Sequence, residues 1–93
     1  MKNPNKDLIT ELEEIPNIGK VISSKLRLIG IEKPKDLLGN DPIKLYKQLC
    51  EKENKKIDPC VIDVFISAID FMEGGEAKPW WEFTKRRKEM LGN

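Results

Sequence analysis

The chain has 93 residues with 17 basic and 16 acidic side chains, which leaves a net charge of +1. This length fits one domain, and 39% hydrophobic with 35% charged residues predicts a folded, well-solvated protein. The charge balance argues against binding polyanions by bulk charge, so any surface for nucleic acid has to be local. The chain has no histidine, which excludes His-dependent catalytic triads and removes the commonest zinc ligand.

Apolar residues recur with the helical period along nearly the whole chain, and no segment alternates as a strand does. We therefore expect an all-α fold, a compact bundle of about five or six short helices. We treat 1–93 as a single domain that is ordered from about residue 7 to residue 90, with frayed ends.

The first half of the chain predicts three helical segments. A helix at 7–14 is stopped by Pro16, because proline ends a helix that reaches it. A second helix at 20–29 ends at Gly30, which stands where a left-handed C-cap belongs. A short helix at 34–38 follows.

Two later helices, at 42–53 and 59–72, open with Asp41-Pro42 and Asp58-Pro59. This pair places a capping carboxylate ahead of a proline in the first turn. Because the segment 59–72 is apolar around much of its circumference, we predict that it is the central helix, with Asp63 and Asp70 sharing its solvent side. A last short helix covers 79–88.

The most informative stretch is the connection Ile15-Pro16-Asn17-Ile18-Gly19, in which Asn17 and Gly19 both tolerate positive φ. A helix that begins straight after this hairpin leaves the N–H groups of Gly19, Lys20 and Val21 unpaired at its positive end. Such a cluster of donors suits a phosphate. The nucleic-acid-binding residues predicted from this pattern are Asn17, Ile18, Gly19, Lys20, Val21, Ser23, Ser24 and Arg27.

Residues 15–26 resemble the helix-hairpin-helix motif, whose hairpin reads hydrophobic-Pro-Gly-hydrophobic-Gly. The wider chain resembles the small bacterial pathogenicity locus family of helix-hairpin-helix proteins, and the hairpin is also similar to that of the TfoX C-terminal domain. The resemblance implies a SAM-like architecture with one helix-hairpin-helix and sequence-independent contact with the DNA backbone. The stretches that carry it are Ile15-Pro16-Asn17-Ile18-Gly19-Lys20, Asp41-Pro42-Ile43-Lys44-Leu45-Tyr46, Leu49-Cys50 with Asp58-Pro59-Cys60-Val61, and Pro79-Trp80-Trp81 with Lys85-Arg86-Arg87-Lys88.

The sequence departs from the motif in ways that predict weak binding. Val21 stands where the motif usually has a basic residue, and Lys20 is its neighbour. Three acidic residues shortly before the hairpin oppose a phosphate within about one Debye length, ~8 Å. These residues are Glu11, Glu13 and Glu14.

The aromatic and basic residues near the end of the chain suggest a second contact. Trp80 and Trp81 diverge by about 100° on a helix, so they cannot form one stacking platform, and we expect at least one to pack in the core. The run that follows them is a secondary basic patch for phosphate, formed by Lys85, Arg86, Arg87 and Lys88.

Cys50 and Cys60 are either small buried apolar residues, which we favour, or a reversible thiol pair. Two thiols without histidine do not complete a zinc site, so we predict no metal and no cofactor. No nucleophile elbow or phosphate-binding GK[ST] loop is present, so we expect no enzyme. The sequence also shows no leader or spanning segment, and we expect a cytoplasmic protein with no membrane partner.

Three functions remain open from the sequence. The first is a small DNA-binding protein that contacts phosphates independently of the base sequence. The second is a protein-interaction adaptor in which the helix-hairpin-helix serves packing alone. The third and least favoured is a redox sensor that uses Cys50 and Cys60.

Overall fold

The computed structural model describes residues 3–92, and within that range all regular structure is helical. The four α-helices there are α1 (Lys20–Leu28), α2 (Pro42–Glu53), α3 (Cys60–Met72) and α4 (Thr84–Met90). Three 3-10 turns lie at Leu12–Glu14, Pro34–Leu37 and Trp80–Phe83. The radius of gyration of 12.3 Å matches the value of about 12 Å for a compact chain of this length. Because all regular structure in residues 3–92 is helical, the predicted all-α class is confirmed. Fraying predicted for residues 1, 2 and 93 lies outside the described residues.

The helix predicted at 7–14 is not formed, and only the turn Leu12–Glu14 is helical. The Glu14 carboxylate accepts hydrogen bonds from the backbone N–H groups of Thr10 and Glu11, at 3.1 and 3.0 Å, and so begins the helical turn at Glu11. Pro16 then keeps Ile15 extended, with ψ at 135°. The start and the stop leave room for three residues.

The other helices begin and end close to where the sequence predicts them, because local signals define their ends. Asp41 Oδ1 accepts from the Ile43 N–H and Asp58 Oδ1 from the Cys60 N–H, each at 2.9 Å. Gly30 has φ at +91° and ends α1 in the left-handed conformation. The segments predicted at 34–38 and 79–88 form partly as 3-10 turns.

Helix α3 is the centre of the fold. Its side chains from Ile62 to Ile69 are all buried, and Phe65 has no exposed surface. It packs against α2, α4 and two of the 3-10 turns. The remaining core comes from the other elements and includes Leu12, Ile15, Ile18, Leu26, Ile31, Leu37, Leu45 and Leu49.

The prediction that Asp63 lies on the solvent side of α3 is wrong. Asp63 has no exposed surface, and its two carboxylate oxygens accept hydrogen bonds from Arg87 Nε and Thr84 Oγ1, at 2.6 Å each. Asp70, seven residues further along α3, forms a half-exposed ion pair with Arg86 at 3.2 Å. The two aspartates hold α4 against α3. None of the helices in 3–92 has the length and apolar character needed to cross a bilayer.

Candidate functional site

The connection between the Leu12–Glu14 turn and α1, residues 15–19, bends the chain at Asn17, whose φ is +73°. Gly19 does not use the positive φ that the sequence suggested for it. Its φ of −104° and ψ of −167° are extended, a conformation that any residue adopts. Gly19 is the N-cap of α1 and provides no side chain to cap it. Asparagine therefore provides the left-handed position, and glycine leaves the end of the helix uncovered.

The side chain of Asn17 fastens this bend to the body of the protein. Its Nδ2 donates to Ser67 Oγ on α3 at 3.2 Å and to the Lys78 carbonyl at 2.7 Å. Ser67 is buried and donates in turn to the Val64 carbonyl at 2.7 Å. The sequence indicated only that Asn17 tolerates positive φ, because partners 50 and 61 positions away leave no local signal.

The first N–H groups of α1 have no hydrogen-bond partner within residues 3–92. Ser23 N–H is the first in α1 to bond backward, to the Gly19 carbonyl at 3.0 Å, and within residues 3–92 the N–H groups from Gly19 to Ile22 have no partner. The side chains at Lys20 and Val21 are exposed, and a Cβ built on Gly19 would meet no atom within 4 Å. The N–H groups of Gly19, Lys20 and Val21 are therefore unpaired, as the sequence predicts.

The side chains predicted around these amides divide into two groups. Lys20 and Ser24 are exposed, whereas Ile18 is in the core and Ser23 has no exposed surface. Ser23 Oγ lies 3.0 Å from the Lys20 carbonyl, and it also donates to a Glu13 oxygen at 3.1 Å. The side chains of Ser23 and Ile18 are therefore buried under the site and do not reach a ligand in this conformation.

Arg27 is engaged within the protein. Its two terminal nitrogens, Nη1 and Nη2, bond to the two oxygens of Glu13 at 3.1 and 3.0 Å. This bidentate contact, with the Ser23 hydroxyl, lowers the pKa of Glu13 from 4.5 to about 2. Arg27 therefore neutralises an acid near the amides, a role that its position in the polar stripe did not indicate.

The other two acids before the connection also have partners. Glu14 accepts from the N–H groups of Thr10 and Glu11, which lower its pKa. Glu11 pairs with Lys33 Nζ at 3.1 Å. The opposition to a phosphate predicted from these carboxylates is therefore moderated by contacts inside the protein.

The predicted basic patch near the end of the chain is only partly available. Arg87, whose side chain is 13% exposed, pairs with Asp63, and Arg86 pairs with Asp70 while its guanidinium lies 5.6 Å from the centre of the Phe83 ring. Lys85 and Lys88 remain exposed. Two of the four predicted cations thus stabilise the fold.

The two tryptophans separate as predicted. Trp80 is half-buried and packs against the main core, whereas Trp81 is 62% exposed. Their ring centres are 5.7 Å apart and their planes are at 81°, so the rings meet edge to face.

The two cysteines are half-buried and carry no disulfide. Burial, and then the hydrogen bond and charge of Asp58, raise the pKa of Cys60. A raised pKa reduces the thiolate fraction at neutral pH, which is opposite to the tuning of reactive cysteines. Within residues 3–92, no cluster of three or more acidic or cysteine side chains is arranged to hold a metal ion.

Comparison with known proteins places these features in a family. The chain matches the model of the pathogenicity locus family over residues 5–89. It is 34% identical over 82 residues to the mitomycin resistance protein McrB of Streptomyces lavendulae, which covers 88% of this chain and 78% of that protein. No solved structure is significantly similar to the chain. The resemblance predicted from the sequence is confirmed, and the chain belongs to the pathogenicity locus family.

Proposed function

We propose that this protein binds the phosphate backbone of DNA without sequence choice, through the N–H groups at the start of α1. The observation that carries the proposal is the set of N–H groups from Gly19 to Ile22, which have no partner within residues 3–92. Four such donors at the positive end of a helix dipole form a favourable position for an anion. Backbone donors do not distinguish bases, so contact is independent of sequence.

Two exposed side chains support the same ligand. Lys20 has no ion-pair partner within 4.0 Å among residues 3–92, and Ser24 follows it one turn later on α1. A helical spacing of four places both on one side of the helix, beside the amides. A single site with one free lysine contacts few phosphates, so we expect weak binding with a shallow salt dependence.

We assign residues 15–19 and α1 to the hairpin and second helix of a helix-hairpin-helix. The support is the tight bend at Asn17 and the start of α1 at Lys20, directly after Gly19. The element before the hairpin is a three-residue 3-10 turn, shorter than the first helix of the motif. The proposed contact uses the amides of α1 and does not depend on that first helix.

The substitution Gly19→Asp tests the proposal, because it should change stability and binding in opposite directions. An aspartate at the N-cap accepts hydrogen bonds from the amides and stabilises α1, by about 0.5 kcal/mol relative to glycine. The same carboxylate occupies the donors and repels a phosphate. We expect a higher urea midpoint for unfolding. We also expect affinity for a labelled duplex at low salt to fall at least tenfold, which corresponds to the loss of about one charge-assisted hydrogen bond.

Gln48→Glu on the exposed face of α2 is the matched control, since it adds the same charge elsewhere. It should lower affinity by less than about twofold, which is the range of screened surface charge effects. Equal losses in the two variants would assign the effect to net charge alone. Absence of duplex binding by the wild-type protein at low salt would overturn the proposal.

The adaptor remains the alternative from a different class. It predicts a stoichiometric protein partner whose capture survives nuclease treatment and is unaffected by Gly19→Asp. The relative in S. lavendulae is named for mitomycin resistance. We propose mitomycin survival as a cellular measurement of the function of this chain. If phosphate binding underlies such a role, a host that expresses the wild-type protein should survive mitomycin better than one that expresses Gly19→Asp.

A further inference from the structure

Three exposed residues form a stripe along the last helical segment. Trp81 is 62% exposed, and Lys85 and Lys88 follow it at spacings of four and seven. The Trp80–Phe83 turn continues directly into α4, so the three side chains lie along one continuous helical segment. Neither lysine has an ion-pair partner within 4.0 Å among residues 3–92. We call this surface the Trp81 stripe.

The Trp81 stripe is held in a fixed orientation by the opposite side of the same segment. Phe83 is buried, Thr84 and Arg87 bind the buried Asp63, and Arg86 pairs with Asp70. Because these contacts consume the inward face, the indole and the two ammonium groups are turned to solvent. A preorganised aromatic surface loses little entropy when a flat ligand stacks on it.

The segment that carries the Trp81 stripe is bonded to the connection before α1. The Lys78 carbonyl accepts a hydrogen bond from the side-chain Nδ2 of Asn17 at 2.7 Å, and Asn17 is two residues before Gly19. Trp81 follows Lys78 by three positions, a length of chain that spans at most about 11 Å. The Asn17 contact therefore ties the start of this segment to the connection that precedes α1.

We propose that Trp81 stacks on an unpaired base while Lys85 and Lys88 contact the phosphates beside it. This inference rests on the proposed function and names its substrate class, which is DNA with a single-stranded segment next to the backbone held at α1. A flat aromatic face with cations along one helical face is the combination that binds single strands without base preference. A paired duplex hides its base faces and cannot use Trp81.

The lysines beside Trp81 suit an anionic ligand, and the exposed indole suits a flat one. Lys78 is also exposed at the start of the segment, whereas Glu82 and Glu89 are exposed acids within it. The exposed large apolar side chains of the segment are Trp81, Met90 and Leu91, at 62%, 46% and 41%, while Trp80 packs against the core. An exposed ring with lysines beside it matches a base with phosphates beside it.

The test compares three labelled ligands of equal length, a blunt duplex, a single strand and a duplex with a single-stranded overhang, by fluorescence anisotropy at low salt. We expect Trp81→Ala to lower affinity for the single strand and the overhang by about tenfold, in line with the loss of one stacked base. Affinity for the blunt duplex should change by less than about twofold. Trp81→Phe should retain most of the single-strand affinity.

Leu8→Ala is the matched control, because Leu8 is 76% exposed and lies outside the Trp81 stripe. A second readout uses Trp80→Phe, which leaves Trp81 as the one tryptophan of the chain. Its emission should be quenched as single-stranded DNA saturates the protein, because a stacked base quenches the indole. Lys85→Gln with Lys88→Gln should reduce the salt dependence of single-strand binding by a slope of about one to two.

The outcomes separate the two proposals. If Gly19→Asp abolishes duplex binding while Trp81→Ala leaves single-strand affinity unchanged, the stacking role is wrong and the phosphate site stands. If the wild-type protein binds no DNA of any form, both are wrong. Unquenched Trp81 emission at saturation, or capture of a protein that Trp81→Ala alone releases, would overturn the stacking proposal in favour of another ligand.

Discussion

Arg87 Nε lies 2.6 Å from Asp63 Oδ1, although the two residues are 24 positions apart in the chain. The carboxylate has no exposed surface and the arginine side chain is 13% exposed. A buried charge without its partner costs far more than the intact pair contributes, because nothing else compensates the lost hydration. The pair therefore fixes where α4 docks on α3.

Arg87→Met should destabilise the protein by about 3–5 kcal/mol, since it leaves Asp63 buried and unpaired except for Thr84. Urea unfolding monitored by circular dichroism measures the loss. Arg86→Met is the control, because the pair of Arg86 with Asp70 is more exposed and should contribute no more than about 1 kcal/mol. The double variant Asp63→Leu with Arg87→Met should recover most of the stability, and its failure to do so would show that the pair has a further role.

Asn17→Gly should cost about 1–2 kcal/mol, because glycine retains the positive φ and removes the hydrogen bonds to Ser67 and Lys78. Asn17→Ala should cost about 1 kcal/mol more, since alanine also strains the backbone at φ of +73°. Hydrogen exchange of the Ile15 and Ile18 amides, which bond to the Leu12 and Ile15 carbonyls, should increase in both variants. Unchanged exchange would mean that the side chain of Asn17 does not hold the bend.

Acid should weaken the fold in the pH range set by Glu13. Its pKa lies at about 2 in the folded protein and at 4.5 in the unfolded chain, so the folded state favours the ionised carboxylate. The stabilising contribution is complete above pH 4.5 and is lost as the pH falls toward 2. Arg27→Gln should raise the pKa of Glu13 toward 4.5, which a carbon-detected NMR titration of its carboxyl group would show. A titration that is the same in both proteins would contradict the bidentate contact.

The Cys60 thiol should react slowly with a thiol reagent at neutral pH, because burial and Asp58 raise its pKa. Asp58→Asn should increase the rate, since the asparagine oxygen still accepts from the Cys60 N–H and the negative charge is removed. Stopped-flow labelling in a Cys50→Ser background measures Cys60 alone. Fast labelling of the parent protein at neutral pH would restore the redox alternative.

Local rules predicted much of the fold because they need only neighbouring residues. The two Asp-Pro pairs give the starts of α2 and α3, and Gly30 gives the end of α1. The helix predicted at 7–14 failed because a second local signal, the carboxylate of Glu14, moved the start to Glu11. Competing local signals are decided by the tertiary structure.

The candidate site was predictable where it consists of backbone. The bend at Asn17 and the start of α1 at Lys20 follow from residue types, and they expose the amides. The roles of the charged side chains were not predictable, because Arg27 and Arg87 pair with Glu13 and Asp63 over separations of 14 and 24 positions. Composition shows that such cations are present and does not show which carboxylates they meet.

The contact between Asn17 and Lys78 has a consequence for biosynthesis. The donor leaves the ribosome early, and its acceptor carbonyl emerges 61 residues later. During most of translation the bend therefore lacks its anchor, and the nascent chain cannot finish folding from its N-terminal end. A premature stop before residue 78 would release a polypeptide whose bend at Asn17 has lost that acceptor, a product for proteolysis rather than a smaller working version.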